Sequence, residues 1–139
     1  MNQRALTSAM VGVVLGLAGT AHANPVTLIC YGKLIKGGSP SGRAVTVKVG
    51  GETAILNMEG RTFKPPMYPE FPLTRVSETD LFFGSELPNL STWGNLDRVS
   101  GTLTMNVMIP SERKALQAGE TAHWLDWLDA KCTPAQKMS

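Results

Sequence analysis

The sequence predicts an all-β fold, an antiparallel meander of about eight strands that closes into a small barrel. Two observations predict this class. Short β-rich segments alternate with glycine and proline punctuation, without the spacing that strand–helix–strand units need. Two cysteines, Cys30 and Cys132, lie near the two ends of the predicted domain. A disulfide between them would join the first and last strands and close the sheet, although a β-sandwich can also bring its terminal strands together.

The first 23 residues have the three parts of a secretory signal peptide. Arg4 supplies a positive charge, Met10–Ala18 form an apolar run, and the small-residue sequence Ala-His-Ala ends at Ala23. The apolar run is too short to span a bilayer. We therefore expect cleavage after Ala23, one mature β domain over 24–139, a periplasmic or secreted location, and no membrane span after cleavage.

The cysteine count supports the same compartment. An even number of cysteines in an exported chain indicates a disulfide rather than two free thiols. A Cys30–Cys132 bridge would close a loop of roughly 100 residues and contribute up to about 4–5 kcal/mol in the chain-entropy model. That is a large share of the stability of so small a domain.

Three strands are expected in the first half of the mature chain: one is rich in β-forming residues, one alternates apolar with polar residues, and one returns from a predicted hairpin. The expected strands are Pro25–Leu34, Ala44–Val49 and Thr53–Met58. Gly50-Gly51 is typical of a two-residue hairpin turn between the second and the third. Four prolines between Phe63 and Pro72 predict an extended surface loop, because each removes a donor from a strand ladder.

The second half of the chain predicts two more hairpins, a helix and a last strand. The hairpins are Leu73–Ser77 with Leu81–Ser85, and Trp93–Val99 with Thr102–Ile109 around Ser100-Gly101; Leu87–Thr92 is expected to be a loop. A short helix over 112–118 would be capped by Ser111 and ended by Gly119.

The segment from Thr121 to Cys132 is ambiguous in its pattern. Trp124, Leu125, Trp127 and Leu128 fall on one face of a helix. We favour a strand, because Cys132 must reach Cys30 and the α-carbons of a disulfide lie roughly 4.4–6.8 Å apart.

Charge and residue types argue against several classes of function. Loss of the signal peptide removes Arg4 and leaves 12 basic against 11 acidic residues, which predicts no attraction to nucleic acid. His123 is the one histidine of the mature chain, whereas a metal site needs three or four convergent ligands. No nucleophile elbow or phosphate loop is present. We expect no enzyme activity, no metal and no cofactor.

Two stretches resemble a known group of proteins. Residues 93–101, Trp-Gly-Asn-Leu-Asp-Arg-Val-Ser-Gly, fit the pattern W-G-x-[IL]-D-R-V-[ST]-G, and residues 131–138, Lys-Cys-Thr-Pro-Ala-Gln-Lys-Met, fit K-C-x-P-x-Q-[KR]-M. Both patterns resemble small exported β-proteins of Gram-negative bacteria whose function is unknown. The resemblance implies export, a β-fold and a Cys30–Cys132 pair, and it implies no activity.

Six residues are candidates for a binding surface. Trp124 and Trp127 either fill the core or line a groove, since tryptophan is over-used at binding surfaces. Tyr68 and Phe71 belong to the proline-rich loop, which is either a docking loop or a solvated spacer. Asp97-Arg98 either holds a turn through hydrogen bonds or an ion pair, or presents its charges to a ligand.

Two functions remain open on these grounds. The first is a non-enzymatic binding or interaction module of the cell envelope, which engages a protein or another envelope component. The second is a carrier that holds an apolar ligand in the barrel interior, with methionines in the lining. The interior volume discriminates between them, because a carrier needs a cavity where an interaction module has packed side chains.

Overall fold

The computed structural model describes residues 25–37 and 44–135 and shows a closed, antiparallel, eight-stranded barrel. The predicted signal peptide, residues 38–43 and the last three residues of the tail motif lie outside the described residues. The elements are β1 (Val26–Lys36), β2 (Val45–Asn57), β3 (Thr62–Lys64), β4 (Phe71–Val76), β5 (Asp80–Leu87), β6 (Leu90–Asp97), β7 (Thr102–Met108), α1 (Pro110–Gln117) and β8 (Asp126–Pro134).

The disulfide lies at the point where the barrel closes. Strand β1 pairs with β2 on one side and with β8 on the other, and Cys30 stands directly opposite Cys132. The two residues form a disulfide with α-carbons 4.0 Å apart, and Cys30 is fully buried. The predicted barrel and the predicted bridge are both confirmed, and the sandwich alternative is excluded.

The hairpin predicted at Gly50-Gly51 is wrong. Both glycines lie inside β2, which runs unbroken along β1. The pairing passes from Cys30–Glu52 to Tyr31–Gly50, so Gly51 is the extra residue of a β-bulge and has φ 96°. A glycine pair fits this bulge as well as it fits a turn, because both place a glycine at positive φ, here Gly51.

The assignment of Gly51 to a β-bulge can be tested by substitution. Gly51→Ala is expected to lower the free energy of unfolding by about 1–2 kcal/mol, because an L-residue is strained at positive φ. Gly50→Ala is the matched control: a β-carbon there would meet only the Lys48 side chain, at 3.7 Å or more. Denaturant unfolding of the two variants measures the difference. Equal losses would contradict the assignment of the bulge to Gly51.

The proline-rich segment is shorter and more buried than predicted. Phe63 begins it inside β3, and Phe71 ends it inside β4. Pro65 and Pro66 are among the fully buried side chains. The prediction of an extended surface loop is therefore wrong over much of this segment. Proline rings can fill space in the barrel wall without any need to donate a backbone hydrogen bond.

The loop predicted over Leu87–Thr92 is also wrong. Strands β5 and β6 continue to Leu87 and Leu90, which face each other across a tight turn. The predicted number of eight strands holds because two errors cancel: β2 was expected as two strands, and β3 was not expected at all.

Aromatic side chains fill the middle of the barrel. The ring of Phe83 lies 4.9 Å from that of Phe63 and 6.1 Å from that of Phe71, between ring centroids. The inward positions of β7 alternate as Leu103, Met105 and Val107, as the sequence pattern predicts. The remaining core members include Leu28, Leu34, Val49, Ala54, Leu73, Leu81, Leu96, Leu128 and Ala130.

The helix is confirmed, with a start two residues earlier than predicted. It begins at Pro110, and its N-cap is Ile109, which makes no side-chain cap; the predicted cap at Ser111 is therefore wrong. Proline at the first helical position sets φ and loses no intrahelical bond. Gly119, at φ 79°, follows the helix as predicted.

Polar contacts hold α1 against the barrel, since none of its residues is buried. The Arg113 guanidinium stacks 4.2 Å above the Trp93 ring and contacts Glu86 and Ser91. The carboxylate of Glu112 accepts a hydrogen bond from the backbone N–H of His123 at 2.9 Å.

Candidate functional site

The two candidate tryptophans meet at one end of the barrel. Trp127 stands opposite Asn106 across β8 and β7, and the indole Nε1 of Trp124 donates a hydrogen bond to Asn106 Oδ1 at 2.9 Å. Trp124 is 37 % exposed and Trp127 38 % exposed. The three residues line an open cavity of about 300 Å³ on the outer side of the barrel, which we call the tryptophan cleft.

The local backbone explains why both indoles point outward. The segment Thr121–Cys132 is confirmed as a strand only from Asp126 onwards. Leu125 precedes it and packs against the core, with its N–H bonded to Val107 O and its carbonyl accepting from Gly37 N. Trp124 therefore faces out, and Trp127 faces out because Leu128, its neighbour in the strand, is fully buried.

Tyr68 braces the segment that carries the cleft. Its hydroxyl donates a 2.5 Å hydrogen bond to Asp126 Oδ2, and its ring packs against the core. Burial, and then the bond to Asp126 and that carboxylate's charge, raise the pKa of Tyr68 well above the usual range of a phenol. The contact fixes the proline-rich segment to the first residue of β8.

The raised pKa predicts how stability changes in alkali. Above about pH 10 the phenol ionises in the unfolded chain but stays protonated in the folded one, so the free energy of unfolding falls as the pH rises. In Tyr68→Phe the fall between pH 9 and pH 11 should be shallower than in the wild type. Urea unfolding of both proteins across this range measures the slopes, and the difference near pH 8 gives the constant cost of the lost hydrogen bond. Parallel slopes would refute the coupling.

Phe71 does not take part in an exposed surface. It is 8 % exposed and belongs to the aromatic core. Its neighbour Met67 is 44 % exposed and has φ 68°. The structure therefore connects Tyr68, but not Phe71, to the strand that carries Trp127, through the bond to Asp126.

The side chains of Asp97 and Arg98 hold turns. Asp97 Oδ1 accepts hydrogen bonds from the N–H groups of Val99 and Ser100 at 2.8 and 3.0 Å. These bonds, with that from Ser100 the larger cause, lower the pKa of the Asp97 carboxyl. Arg98 donates to Ser77 O at 2.7 Å, and so links the β6–β7 turn to the β4–β5 turn.

Searches of protein family models, curated proteins and solved structures found no match to this chain. The resemblance of residues 93–101 and 131–138 to small exported β-proteins therefore stays a prediction. Within the described ranges, 25–37 and 44–135, no group of three or more histidine, cysteine, aspartate or glutamate side chains is placed to hold a metal ion. No helix in that part of the chain is long and apolar enough to cross a membrane.

Asn106 is the site residue that sequence reasoning missed. It occupies a polar, outward position in the alternating strand β7, and that pattern alone does not distinguish it from its neighbour Thr104. Its importance comes from the register, which places it beside Trp127. Its Oδ1 is occupied by Trp124, and among the described residues no acceptor takes the protons of its amide nitrogen. The cleft therefore offers two apolar faces and one amide donor.

Proposed function

We propose that this protein is a non-enzymatic binding module of the cell envelope, and that it engages its partner outside the barrel through the tryptophan cleft. One observation carries the proposal: two tryptophans, each more than one-third exposed, are held beside an amide group with spare donors. Rigid aromatic side chains supply large contact area at low entropic cost, and a few polar groups then fix orientation.

The bracing of the cleft supports a binding role. Tyr68 fixes Asp126, Asn106 fixes the Trp124 indole, and the Lys33 ammonium lies 5.9 Å from the Trp127 ring centroid. A surface arranged in advance of binding loses less conformational entropy when it binds. Central aromatic anchors of this kind account for most of the binding energy at many interfaces.

The packed barrel interior favours this role over that of a carrier. Phe63, Phe83, Leu103 and Met105 fill the interior with exposures of 0–1 %. The depression at the end of the barrel near Cys132 has a volume of about 160 Å³, below the roughly 300–1,000 Å³ of a usual small-molecule site. An apolar ligand would have to displace core side chains.

An exported location is part of the proposal. The disulfide is compatible with an oxidising compartment, and residues 1–23 carry the pattern of a signal peptide. In that compartment the partner is a component of the envelope.

Binding to envelope fractions tests the proposal. The mature protein, labelled with a fluorophore at its N-terminus, is mixed with outer-membrane, peptidoglycan and soluble periplasmic fractions of a Gram-negative bacterium. One fraction should retain the wild type, and the double variant Trp124→Ala/Trp127→Ala should bind it at least about tenfold more weakly.

A matched control separates the cleft from general surface effects. Val99, in the β6–β7 turn, is 79 % exposed, and Val99→Ala should bind like the wild type. Circular dichroism establishes that each variant keeps the β-fold. Undiminished binding by the double variant would reject the tryptophan cleft as the binding site, and a wild type that binds no fraction would reject the binding module.

A further inference from the structure

A second groove lies on the outer face of β4, β5 and β6, next to the tryptophan cleft, since Trp93 pairs with Asn106 across β6 and β7. It consists of two adjoining open cavities of about 420 and 320 Å³, which share Thr74, Phe83, Trp93 and Arg113 as lining residues. Arg75 and Phe82 line the smaller of the two. We call this feature the arginine groove.

Glycine and a β-bulge create the groove. Gly84 on β5 is buried and lines the larger cavity without a side chain. Gly94 lies on the inner face, where its missing side chain leaves room for the Phe83 ring. The register between β4 and β5 shifts between Leu73 and Arg75, which leaves both Thr74 and Arg75 exposed. Bulges commonly redirect side chains next to functional sites.

Each arginine of the groove is stacked on an aromatic ring. The guanidinium carbon of Arg75 lies 4.5 Å from the centroid of Phe82, and that of Arg113 lies 4.2 Å from the centroid of Trp93. Stacking restricts the guanidinium to a plane and leaves its edge able to donate. In Arg113 one nitrogen of that edge already donates to Glu86 and Ser91. Because Phe82 pairs with Asn95 and Trp93 with Gly84, the two rings are diagonal neighbours across the strands, at positions roughly 7–8 Å apart.

The charges of the groove are only partly balanced by the protein. Glu86 pairs with Arg113. Within the described part of the chain, no carboxylate lies within ion-pair distance of Arg75. The hydroxyl of Thr74 and that of Ser85 add two uncharged donors to the lining. The groove is therefore cationic, with donors that approach from several directions.

We infer that the arginine groove binds a phosphate group. One guanidinium group on β4 and one on α1, together with hydroxyl donors, suit a tetrahedral oxyanion better than a planar carboxylate, which presents its oxygens in one plane. Charge-assisted hydrogen bonds of this kind are about twice as strong as neutral ones. This inference does not rest on the proposed function, although Trp93 of the groove is the cross-strand neighbour of Asn106 in the tryptophan cleft.

The test measures binding of three phosphate-bearing probes to the intact mature protein. Inorganic phosphate, glucose 1-phosphate and vesicles that contain phosphatidic acid separate a free anion, a sugar phosphate and a lipid headgroup as the source. Glucose and phosphatidylcholine vesicles, which carry no phosphate monoester, are the negative controls. Titration calorimetry at constant ionic strength gives the affinities, and the shift of the Trp93 indole N–H signal in NMR spectra locates the site.

Two arginine variants and one control make the outcome decisive. Arg75→Ala should weaken binding about tenfold or more, and Arg75→Lys should recover only part of it, because lysine keeps the charge but lacks the fork of donors. Lys131→Ala removes a positive charge on β8, and should change affinity less than about twofold if binding is specific. Binding of any of the three probes that is lost in Arg75→Ala and kept in Lys131→Ala supports the site. Equal loss in both variants, indifference to Arg75→Ala, or no binding of any probe overturns it.

Discussion

Replacement of both Cys30 and Cys132 by alanine is expected to lower the free energy of unfolding by about 4.7 kcal/mol, the largest effect of any change outside the aromatic core. The disulfide joins residues 102 apart in sequence, so it restricts most of the 139-residue chain in the unfolded state. A domain of this size has a total stability of roughly 5–15 kcal/mol. The double variant should therefore unfold at a much lower concentration of denaturant.

The contribution of the bridge is separable from that of the strand pairing around it. Strands β1 and β8 remain paired from Leu28 to Lys36 by backbone hydrogen bonds that do not need the sulfur atoms. Reduced wild-type protein, which keeps both side chains, is the matched control, and equilibrium unfolding in urea measures both proteins. A loss below about 1 kcal/mol in both would mean that pairing alone closes the barrel.

Closure of the barrel was predictable because the sequence contains two cysteines, Cys30 and Cys132, that can form a disulfide between the terminal strands. Two cysteines near the ends of a domain that is predicted to be exported are expected to pair, and a meander whose ends meet in adjacent strands is a barrel. The same constraint decided the ambiguous segment that contains Trp124 and Trp127. Its helical pattern results from Leu125 and Leu128, which are inward residues on either side of the point where β8 begins.

Local signals for turns were less reliable, and the reason is physical. A glycine pair is compatible with positive φ in a hairpin turn and equally in a bulge, and only the pairing with β1 shows that Gly51 is in a bulge. Proline excludes a central ladder position but not a buried one, so Pro65 and Pro66 gave no sign of their burial. Such features depend on which strands become neighbours.

The candidate site was predictable in its aromatic part and not in its polar part. Tryptophans are few and large, so Trp124 and Trp127 are conspicuous in the sequence. Asn106 becomes significant only through its register with β8, and Arg75 and Arg113 only through the rings beneath them. Sequence reasoning also placed Phe71 on a loop surface, although its side chain is in the core.

The register of β5 can be tested directly, because Phe82 and Phe83 are adjacent in this strand and point to opposite sides of the sheet. Phe83→Ala is expected to lower the free energy of unfolding by about 3–5 kcal/mol, since the lost ring leaves a cavity. Phe83 is 1 % exposed and contacts Phe63 and Phe71. It also occupies space left by Gly94, where a β-carbon would lie 2.2 Å from Phe83 Cζ.

The neighbouring residue provides the matched control for this change. Phe82 is half-buried on the outer face and carries Arg75 on its ring, so Phe82→Ala should cost about 1 kcal/mol or less. Both variants lose the same phenyl ring at adjacent positions, and denaturant unfolding measures how much each loss lowers the free energy of unfolding. Because a slip of one residue exchanges the inner and outer faces of a strand, similar losses in the two variants, or a larger loss for Phe82, would overturn the register of β5. A larger loss for Phe83 would establish independently which face of β5 presents the arginine groove to solvent.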